Sequence, residues 1–301
     1  MPSGSSIKIT RVQPFIGAEI TGVDLTQPLD AETKDTLRQA LLDHQVIVLR
    51  DQDVSREQHR DFARIFSNRT EDIFNCQNNQ AHPVPGFPEI LTVFADGKKK
   101  TAADVWHTDE SFRPIPPGVS VLRSKVQPSI GGDTLFSSAV QAYAGLPDEI
   151  KAKIRNLKAL HGPVYAYMRR GSSSSFADPA KVKKQHEENP PYAHPVVRIH
   201  PETGLPVLYV NEGYTGPIVG LEDDGEELLR ILFDQFKKPD YQMRHHWSPN
   251  TIVVWDNRSV QHYAVADYDE PRQLERITVA GDAIPVGFDA ETEEKQATLV
   301  A

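Results

Sequence analysis

Cysteine is almost absent from this sequence, which limits both its cross-links and its metal chemistry. The 301 residues contain one cysteine, Cys76, so no internal disulfide can form. Cys76 also has no cysteine or histidine neighbour at the spacing of a zinc site. A single cysteine is typical of proteins in a reducing compartment, and we therefore expect a cytoplasmic location.

Excess positive charge is also missing. Aspartate and glutamate outnumber lysine and arginine by 42 to 33, which gives a formal net charge of −9 at pH 7. A protein that follows the phosphates of nucleic acid needs a basic surface, so a nucleic-acid partner is not expected. A small molecule is the better candidate for the ligand.

Long apolar runs are missing from the first thirty residues. This stretch has no basic segment followed by an apolar run, and no run of about 18 apolar residues. We expect neither a signal peptide nor a membrane span. Hydrophobic residues make up 39% of the chain and charged residues 25%, as in ordinary globular proteins. The length fits a single domain over residues 1–301, and a homo-oligomer is compatible with it.

The first part of the chain alternates strand and helix signals. Short apolar runs between Ile7 and Leu25, separated by glycines, predict an opening hairpin. Residues 31–44 have helical spacing after Asp30, which can act as the N-cap. Residues 46–50 predict a buried strand, and the helix after it begins at Ser55 with a capping-box pattern.

Short strand candidates dominate the rest of the chain, and one helix is predicted near Gly225 to Phe236. Many short strands with few helices are typical of a sandwich, barrel or jelly roll. The predicted fold class is therefore mainly β with helical decoration. The predicted strands are Glu89 to Phe94, Val119 to Arg123, Pro195 to His200, Val207 to Asn211, Thr251 to Asp256 and Glu275 to Gly281.

Two segments lack any periodicity. Ser67 to Pro88 is rich in Asn, Gln and Pro, and we interpret it as a loop. Residues 168–192 contain RRGSSSSFADP followed by a charged run. This composition fits a mobile lid over a site and equally fits a disordered surface insertion.

The sharpest local feature is the pair His107 and Asp109 in WHTDESF. On an extended chain, residues two apart point to the same side, so an imidazole and a carboxylate can reach one metal ion. His262, after the apolar strand that ends at Asp256, is the candidate for a third ligand; Asp256 and Asn257 are predicted to shape the turn before it. Two histidines and one carboxylate form the facial triad of non-haem Fe(II) oxygenases. The same ligands also suit catalytic zinc.

Two arginines follow this candidate ligand. Arg272 and Arg276 lie ten and fourteen positions beyond His262, and they share a face if the segment is extended. A guanidinium can hold a carboxylate through two parallel hydrogen bonds, as the anchoring of a dicarboxylate co-substrate requires. The other interpretation is a pair of exposed arginines beside Glu270 and Glu275.

Five ordered blocks resemble the taurine dioxygenase family, which also includes aryloxyalkanoate and alkylsulfate dioxygenases. The resemblance extends from about Ile16 to Asp282. The blocks are WHTDESF, GGDTLF, AHPVVRIHPETG, YVNEGYT and WDNRSVQHYAVADY, the last followed by R-x-x-x-R.

The resemblance implies a double-stranded β-helix, or jelly roll, with Fe(II) held by the two histidines and Asp109. It also implies that Thr134 and Arg272 bind the far carboxylate of 2-oxoglutarate, the co-substrate that is used with O2. Arg276 would face the anionic group of the primary substrate, and Tyr214 occupies the position where the family places an aromatic ring against that substrate.

The chain departs from taurine dioxygenase itself at three places. The stretch between His262 and the arginines is one residue shorter, so the arginines are aligned by their mutual spacing. Ala103 replaces an asparagine that helps to hold the aminosulfonate. In taurine dioxygenase a histidine and a tyrosine also help to hold the substrate. Their positions fall in the divergent loop Ser67 to Pro88 of this chain, where His82 or Phe74 is a candidate replacement. Taurine is therefore left open as the substrate.

Three functions follow from these residues. The first is a dioxygenase that hydroxylates a small organic anion, either a sulfonate, a sulfate ester or an aryloxyalkanoate, with release of sulfite, sulfate or a phenol. The second is a zinc-dependent hydrolase with the same ligands, which gives no role to an arginine that binds a dicarboxylate. The third is a non-catalytic cupin-like binding protein, which does not need the whole set of residues.

Overall fold

The computed structural model of the chain describes residues 7–75, 83–98, 103–170, 179–221 and 223–288. The predicted opening hairpin is confirmed, because strands β1 (Lys8–Arg11) and β2 (Ala18–Thr21) pair in antiparallel register. The first helix covers the predicted residues 31–44, and the side chain of Asp30 accepts a hydrogen bond from the backbone of Thr33 at 2.7 Å. The capping box at Ser55 is also confirmed.

A large sheet, antiparallel except for one parallel pair of strands, and a small antiparallel sheet form the framework. The large sheet has eight strands in the order β1-β2-β3-β14-β6-β16-β5-β4, and the small one has the order β13-β7-β15. The strands of the large sheet are β1 (Lys8–Arg11), β2 (Ala18–Thr21), β3 (Val46–Leu49), β4 (Pro83–Val84), β5 (Phe87–Ala95), β6 (Val119–Val126), β14 (Ile252–Asp256) and β16 (Arg272–Val279). Those of the small sheet are β7 (Thr134–Ser138), β13 (Gln242–His245) and β15 (Val260–Ala264).

A buried core lies between these two sheets. Phe136 from the small sheet packs against Trp255 from the large one, with ring centroids 5.6 Å apart. Leu274 of β16 belongs to the same cluster. Ile277 of β16 belongs instead to a cluster on the opposite face of the large sheet, which also contains residues of the helices Ala31–His44 and Arg56–Arg64. Two sheets packed face to face, with helices on the outer face, form the jelly roll that the sequence predicts.

A third cluster packs helices and short strands beside the small sheet. Its strands form a three-stranded sheet in the order β12-β8-β9 and a hairpin of β10 with β11. These strands are β8 (Lys158–His161), β9 (Tyr192–Pro195), β10 (Val197–Ile199), β11 (Pro206–Leu208) and β12 (Thr215–Ile218). The α-helices of the whole described chain are α1 (Ala31–His44), α2 (Arg56–Arg64), α3 (Ala139–Ala144), α4 (Asp148–Ile154), α5 (Val164–Arg170), α6 (Pro179–Glu188) and α7 (Asp223–Gln235). The third cluster contains residues of α3, α4 and α7.

Several expectations need correction. Residues 179–188 form a helix, so a wholly disordered insertion over 168–192 is wrong, while residues 171–178 lie outside the described part. The proposed lid function of this segment stays a prediction. The predicted strand from Pro195 to His200 is divided between β9 and β10. Cys76 and His82 also lie outside the described residues.

No helix in the described part of the chain is both long and apolar enough to cross a membrane.

Candidate metal centre

His107 and His262 come from two backbone segments that pair with each other. The backbone N–H of each donates to the carbonyl of the other, at 3.1 Å from His107 and 2.9 Å from His262. His262 lies in β15, opposite Phe136 of β7. The two imidazoles therefore lie side by side, with ring centroids 4.1 Å apart.

Asp109 completes a compact group of three. Its Oδ1 lies 3.8 Å from the Nε2 of His107 and 3.8 Å from the Nε2 of His262. One ligand atom from each of the three buried residues lies within 4.8 Å of the others. The three residues that the sequence predicts as ligands are thus brought together, although 153 positions separate Asp109 from His262.

The protonation of the three groups suits a cation. Nδ1 of His107 lies 2.8 Å from the carbonyl of Val105, so the ring proton belongs on Nδ1 and Nε2 keeps its lone pair. Burial lowers the pKa of His262 to about 3, and the neighbouring His107 acts in the same direction. The imidazole of His262 is therefore neutral at physiological pH.

Asp109 is ionised because its neighbours are positive or donate hydrogen bonds. Burial acts to raise the pKa of Asp109, but the guanidinium of Arg276 and the hydroxyl of Ser120 act against it, and that pKa lies well below its usual range. Nη1 of Arg276 donates to Oδ1 at 2.8 Å, and the hydroxyl of Ser120 donates to Oδ2 at 3.0 Å.

The donor set fits a single divalent metal ion. Two atoms 3.8 Å apart can both lie about 2.1 Å from a common point, which is the usual length of a bond from zinc to nitrogen or oxygen. Two neutral imidazoles and one carboxylate match both the facial triad of iron oxygenases and the ligand set of catalytic zinc. The ligands alone do not distinguish the two metals.

Arg272 is the residue that separates the two interpretations. Its side chain is 3% exposed, and its guanidinium lies 6.0 Å from the ring of Trp247 and 5.8 Å from that of Tyr268. Within the described part of the chain, no carboxylate lies at ion-pair distance from Arg272. The nearby Asp133 instead accepts hydrogen bonds from other side chains, at 2.5 Å and 2.8 Å. A buried cation without a countercharge is an expected feature of an anion site.

Thr134 lies close to this cation through a shared neighbour. Its hydroxyl oxygen accepts a hydrogen bond from Nε1 of Trp247 at 3.0 Å. Gly132 lies against the stem of Arg272, and a Cβ added there would be 3.2 Å from the Cδ and Nε atoms of Arg272. The positive φ of +73° at Gly132 also favours glycine. Thr134 and Arg272 therefore both lie next to Trp247, and their binding of the co-substrate carboxylate stays a prediction.

Arg276 lies on the same strand as Arg272 and faces the metal centre, in contact with Asp109. The carboxylate of Glu212, in the YVNEGYT block, is paired with Lys237 at 2.8 Å. Nε of Arg276 has no hydrogen-bond partner among the described residues. Arg276 therefore has donor capacity beyond its bond to Asp109.

Tyr214 lies beside the ligand loop. Its ring centroid is 5.1 Å from that of Phe112 and 6.3 Å from that of His107. The backbone packs as closely, because a Cβ added to Gly213 would be 2.8 Å from the Cβ of His107. Burial raises the pKa of Tyr214 further above its ordinary value, with Asp109 acting in the same direction, so the phenol stays protonated.

Phe74, a candidate substrate residue, is partly buried. It packs against the helix-covered core and lies under Arg64, whose guanidinium is 5.5 Å from its ring. The backbone of Ala103 is near the centre, since its carbonyl accepts a hydrogen bond from Ala264 of the ligand strand at 2.9 Å.

Sequence reasoning missed three contributors to the site. Ser120 and Trp247 contact predicted site residues, but each does so from a strand or loop that is distant in sequence. Asn257 was interpreted as a turn residue, and its side chain is in fact bonded to the backbone of Asp109. Only Ser120 could have been found from the sequence. Side chains alternate between the two faces of a strand, so the pattern of β6 predicts which of its residues face the inner side of the large sheet.

Comparison with known proteins agrees with this geometry. Residues 8–278 match the family described as taurine catabolism dioxygenase TauD, TfdA family. The chain belongs to this family. It is 34% identical to the alpha-ketoglutarate-dependent sulfate ester dioxygenase of Pseudomonas putida over 301 aligned residues, covering 96% of this chain and 94% of that protein. It is 32% identical to the alkylsulfatase of Acinetobacter baylyi, covering 92% of this chain and 86% of that one.

Solved structures of the family share the fold. The structure of AAD-2 in complex with Mn(II) and N-oxalylglycine superposes with a TM-score of 0.77 at 30% identity, covering 93% of this chain and 100% of that one. The predicted jelly roll is thereby confirmed, and so is the resemblance on which the sequence-based expectations of fold and family were built.

Proposed function

We propose that this protein is an Fe(II)- and 2-oxoglutarate-dependent dioxygenase that oxidises a small organic anion in the cytoplasm. The observation that carries the proposal is the buried Arg272, a cation that has no carboxylate partner in the described part of the chain. Arg272 lies on the same face of β16 as Arg276, which contacts the metal ligand Asp109. A zinc hydrolase leaves this cation without a function, whereas a dicarboxylate co-substrate neutralises it.

His107, Asp109 and His262 would hold the iron. Bound there with 2-oxoglutarate and O2, Fe(II) supplies the oxidising power to hydroxylate a C–H bond while the co-substrate becomes succinate and CO2. The low pKa values of Asp109 and His262 keep the first ionised and the second neutral, and the Nδ1 contact of His107 directs its Nε2 lone pair to the metal. Ser120 and Arg276 keep the carboxylate of Asp109 oriented.

Thr134 and Arg272 would bind the far carboxylate of 2-oxoglutarate. The guanidinium is buried beside two aromatic rings, where a charge-assisted hydrogen bond is stronger than in water. This anchoring directs the 2-oxo acid end of the co-substrate towards the metal.

Arg276 and Tyr214 would contact the primary substrate. The donor of Arg276 that has no partner in the described chain suits an acidic group, and the ring of Tyr214 gives an apolar wall beside His107. Candidate substrates are sulfate esters, sulfonates and aryloxyalkanoates. Two relatives are named for sulfate ester chemistry, which favours a sulfate ester. Hydroxylation of the carbon that bears the ester oxygen gives an adduct that collapses to an aldehyde and releases sulfate.

A substrate screen tests the proposal. Alkyl sulfates, alkylsulfonates including taurine, and aryloxyalkanoates would be incubated with Fe(II), 2-oxoglutarate, O2 and ascorbate, with succinate and the released product measured together. We expect equal amounts of succinate and product for an active compound. The Asp109→Ala variant serves as the control for adventitious iron chemistry. Release of product without O2 and 2-oxoglutarate, after loading with zinc, would instead identify a hydrolase.

A further inference from the structure

Trp247 joins the two residues to which the co-substrate carboxylate is assigned. It follows β13, is 5% exposed, and packs in the core between the two sheets. Its indole N–H donates to the hydroxyl oxygen of Thr134, and its ring lies 6.0 Å from the guanidinium carbon of Arg272. Neither contact is to the metal ligands.

The first contact determines how Thr134 can bind a ligand. An indole nitrogen can only donate, so the oxygen of Thr134 must be the acceptor in this bond. The backbone of Thr134 lies between β13 and β15, opposite His245 on one side and Ala264 on the other. The hydroxyl proton of Thr134 is therefore directed away from Trp247, and it is available to donate to an anion.

The second contact determines how Arg272 can stay charged when it is buried. Burial lowers the pKa of Arg272, and this effect opposes the charged form. The faces of Trp247 and Tyr268 stabilise a cation through the ring quadrupole, and they do so without supplying a negative charge. Arg272 therefore stays charged without a direct ion pair among the described residues, and its guanidinium can bind an incoming carboxylate.

We propose that Trp247 is a positioning residue for the co-substrate carboxylate, because it orients the hydroxyl of Thr134 as a donor and holds Arg272 as a cation without a countercharge. This inference rests on the proposed function, in which Thr134 and Arg272 bind the far carboxylate of 2-oxoglutarate. Trp247 itself acts through these two side chains.

Binding measurements test the inference independently of turnover. Dissociation constants would be measured by calorimetry, anaerobically and with Mn(II) in place of iron, for 2-oxoglutarate and for 2-oxovalerate, which lacks the far carboxylate. We expect Trp247→Phe to weaken 2-oxoglutarate about tenfold, the equivalent of one hydrogen bond, and to leave 2-oxovalerate unchanged. Trp247→His, which retains a ring N–H, should recover part of the loss.

A double-mutant cycle separates positioning from general damage. Trp247→Phe added to Thr134→Val should weaken 2-oxoglutarate by less than it does in the wild-type background, since the hydroxyl it orients is already absent. Equal weakening of both ligands by Trp247→Phe, or a purely additive double variant, would overturn the inference. If Trp247→Phe does not fold, the His variant in the same cycle replaces it.

The outcomes also distinguish this inference from the proposed function. If neither Arg272→Leu nor Arg276→Leu weakens 2-oxoglutarate binding, no arginine of β16 holds the co-substrate carboxylate and the proposed function is wrong. If Arg272→Leu and Thr134→Val weaken 2-oxoglutarate but Trp247→Phe does not, only the positioning role of Trp247 is wrong.

Discussion

Asn257 holds the carboxylate ligand in place through the backbone, and its removal is the most informative perturbation of the metal centre. Its side-chain oxygen accepts from the N–H of Asp109 at 2.9 Å, and its side-chain nitrogen donates to the carbonyl of Asp109 at 3.0 Å. The same nitrogen donates to the carbonyl of Pro117 at 3.0 Å. The next residue, Glu110, has a left-handed φ of 48°. Such a conformation persists only where its surroundings impose it.

The size of the effect follows from the groups that would lose their partner. Asn257→Ala leaves one buried N–H and two buried carbonyls of the backbone unpaired, and each such group costs about 1–3 kcal/mol. Water that enters the space left by the amide offsets part of this cost. We expect the free energy of unfolding to fall by roughly 3–5 kcal/mol. The strained turn at Glu110 should then relax and move Asp109 away from the two histidines.

Two measurements on the same variant test this reasoning. Urea unfolding gives the loss of stability, and titration with Mn(II) or Fe(II) gives the metal affinity of the folded protein. Asn257→Asp should be at least as damaging, since it places a carboxylate against two carbonyl oxygens. Gln39→Ala is the matched control, because it removes an exposed side-chain amide that bonds only Asp43. A metal affinity equal to that of the wild type, with stability changed by less than about 1 kcal/mol, would refute this role for Asn257.

Four further predictions concern named side chains. His262→Ala should reduce metal affinity by more than the roughly 10–100-fold that loss of an outer-shell partner costs, and the absorbance that 2-oxoglutarate produces with bound Fe(II) reports it. Arg272→Leu should raise the KM for 2-oxoglutarate steeply, by the equivalent of about 2–5 kcal/mol. If the KM of this variant is normal and Arg276→Leu loses co-substrate binding instead, Arg276 binds the co-substrate and Arg272 the primary substrate. Arg276→Leu should abolish turnover of an anionic substrate while 2-oxoglutarate affinity changes little, and equal reactivity of a neutral analogue would contradict this. Glu275→Gln should lower stability by about 3–5 kcal/mol in urea unfolding, because the buried Arg123 and the bound Arg56 lose their shared carboxylate.

Local signals in the sequence were sufficient for elements that depend on neighbouring residues. The first helix and the capping box at Ser55 were predicted because capping and helical spacing act within one or two turns. The shared face of Arg272 and Arg276 was predicted for the same reason, since side chains alternate regularly along a strand. Recognition of the ligands needed the family resemblance in addition, because His262 is far from the other two.

Contacts between distant segments could not be predicted in this way. Asn257 and Asp109 are 148 residues apart, and Trp247 and Thr134 are 113 apart, so no local pattern records either hydrogen bond. Composition was misleading at residues 179–188, which form a helix although the segment is polar and charged. Pairs of lysine and glutamate four residues apart on that helix explain why a polar sequence remains helical there.

The position of β16 explains how one strand serves both stability and chemistry. Its inner face presents Arg272, Leu274 and Arg276 to the core between the sheets and to the metal centre. Its outer face carries Ile277 into the helix-covered core and Glu275 to Arg56, at 2.7 Å. A slip of one residue would exchange these faces, burying both arginines among apolar side chains and directing a carboxylate towards Asp109. The burial of Leu274 on one face and of Ile277 on the other therefore favours the register in which both cations face the site, and the ion pair of Glu275 with Arg56 agrees with it.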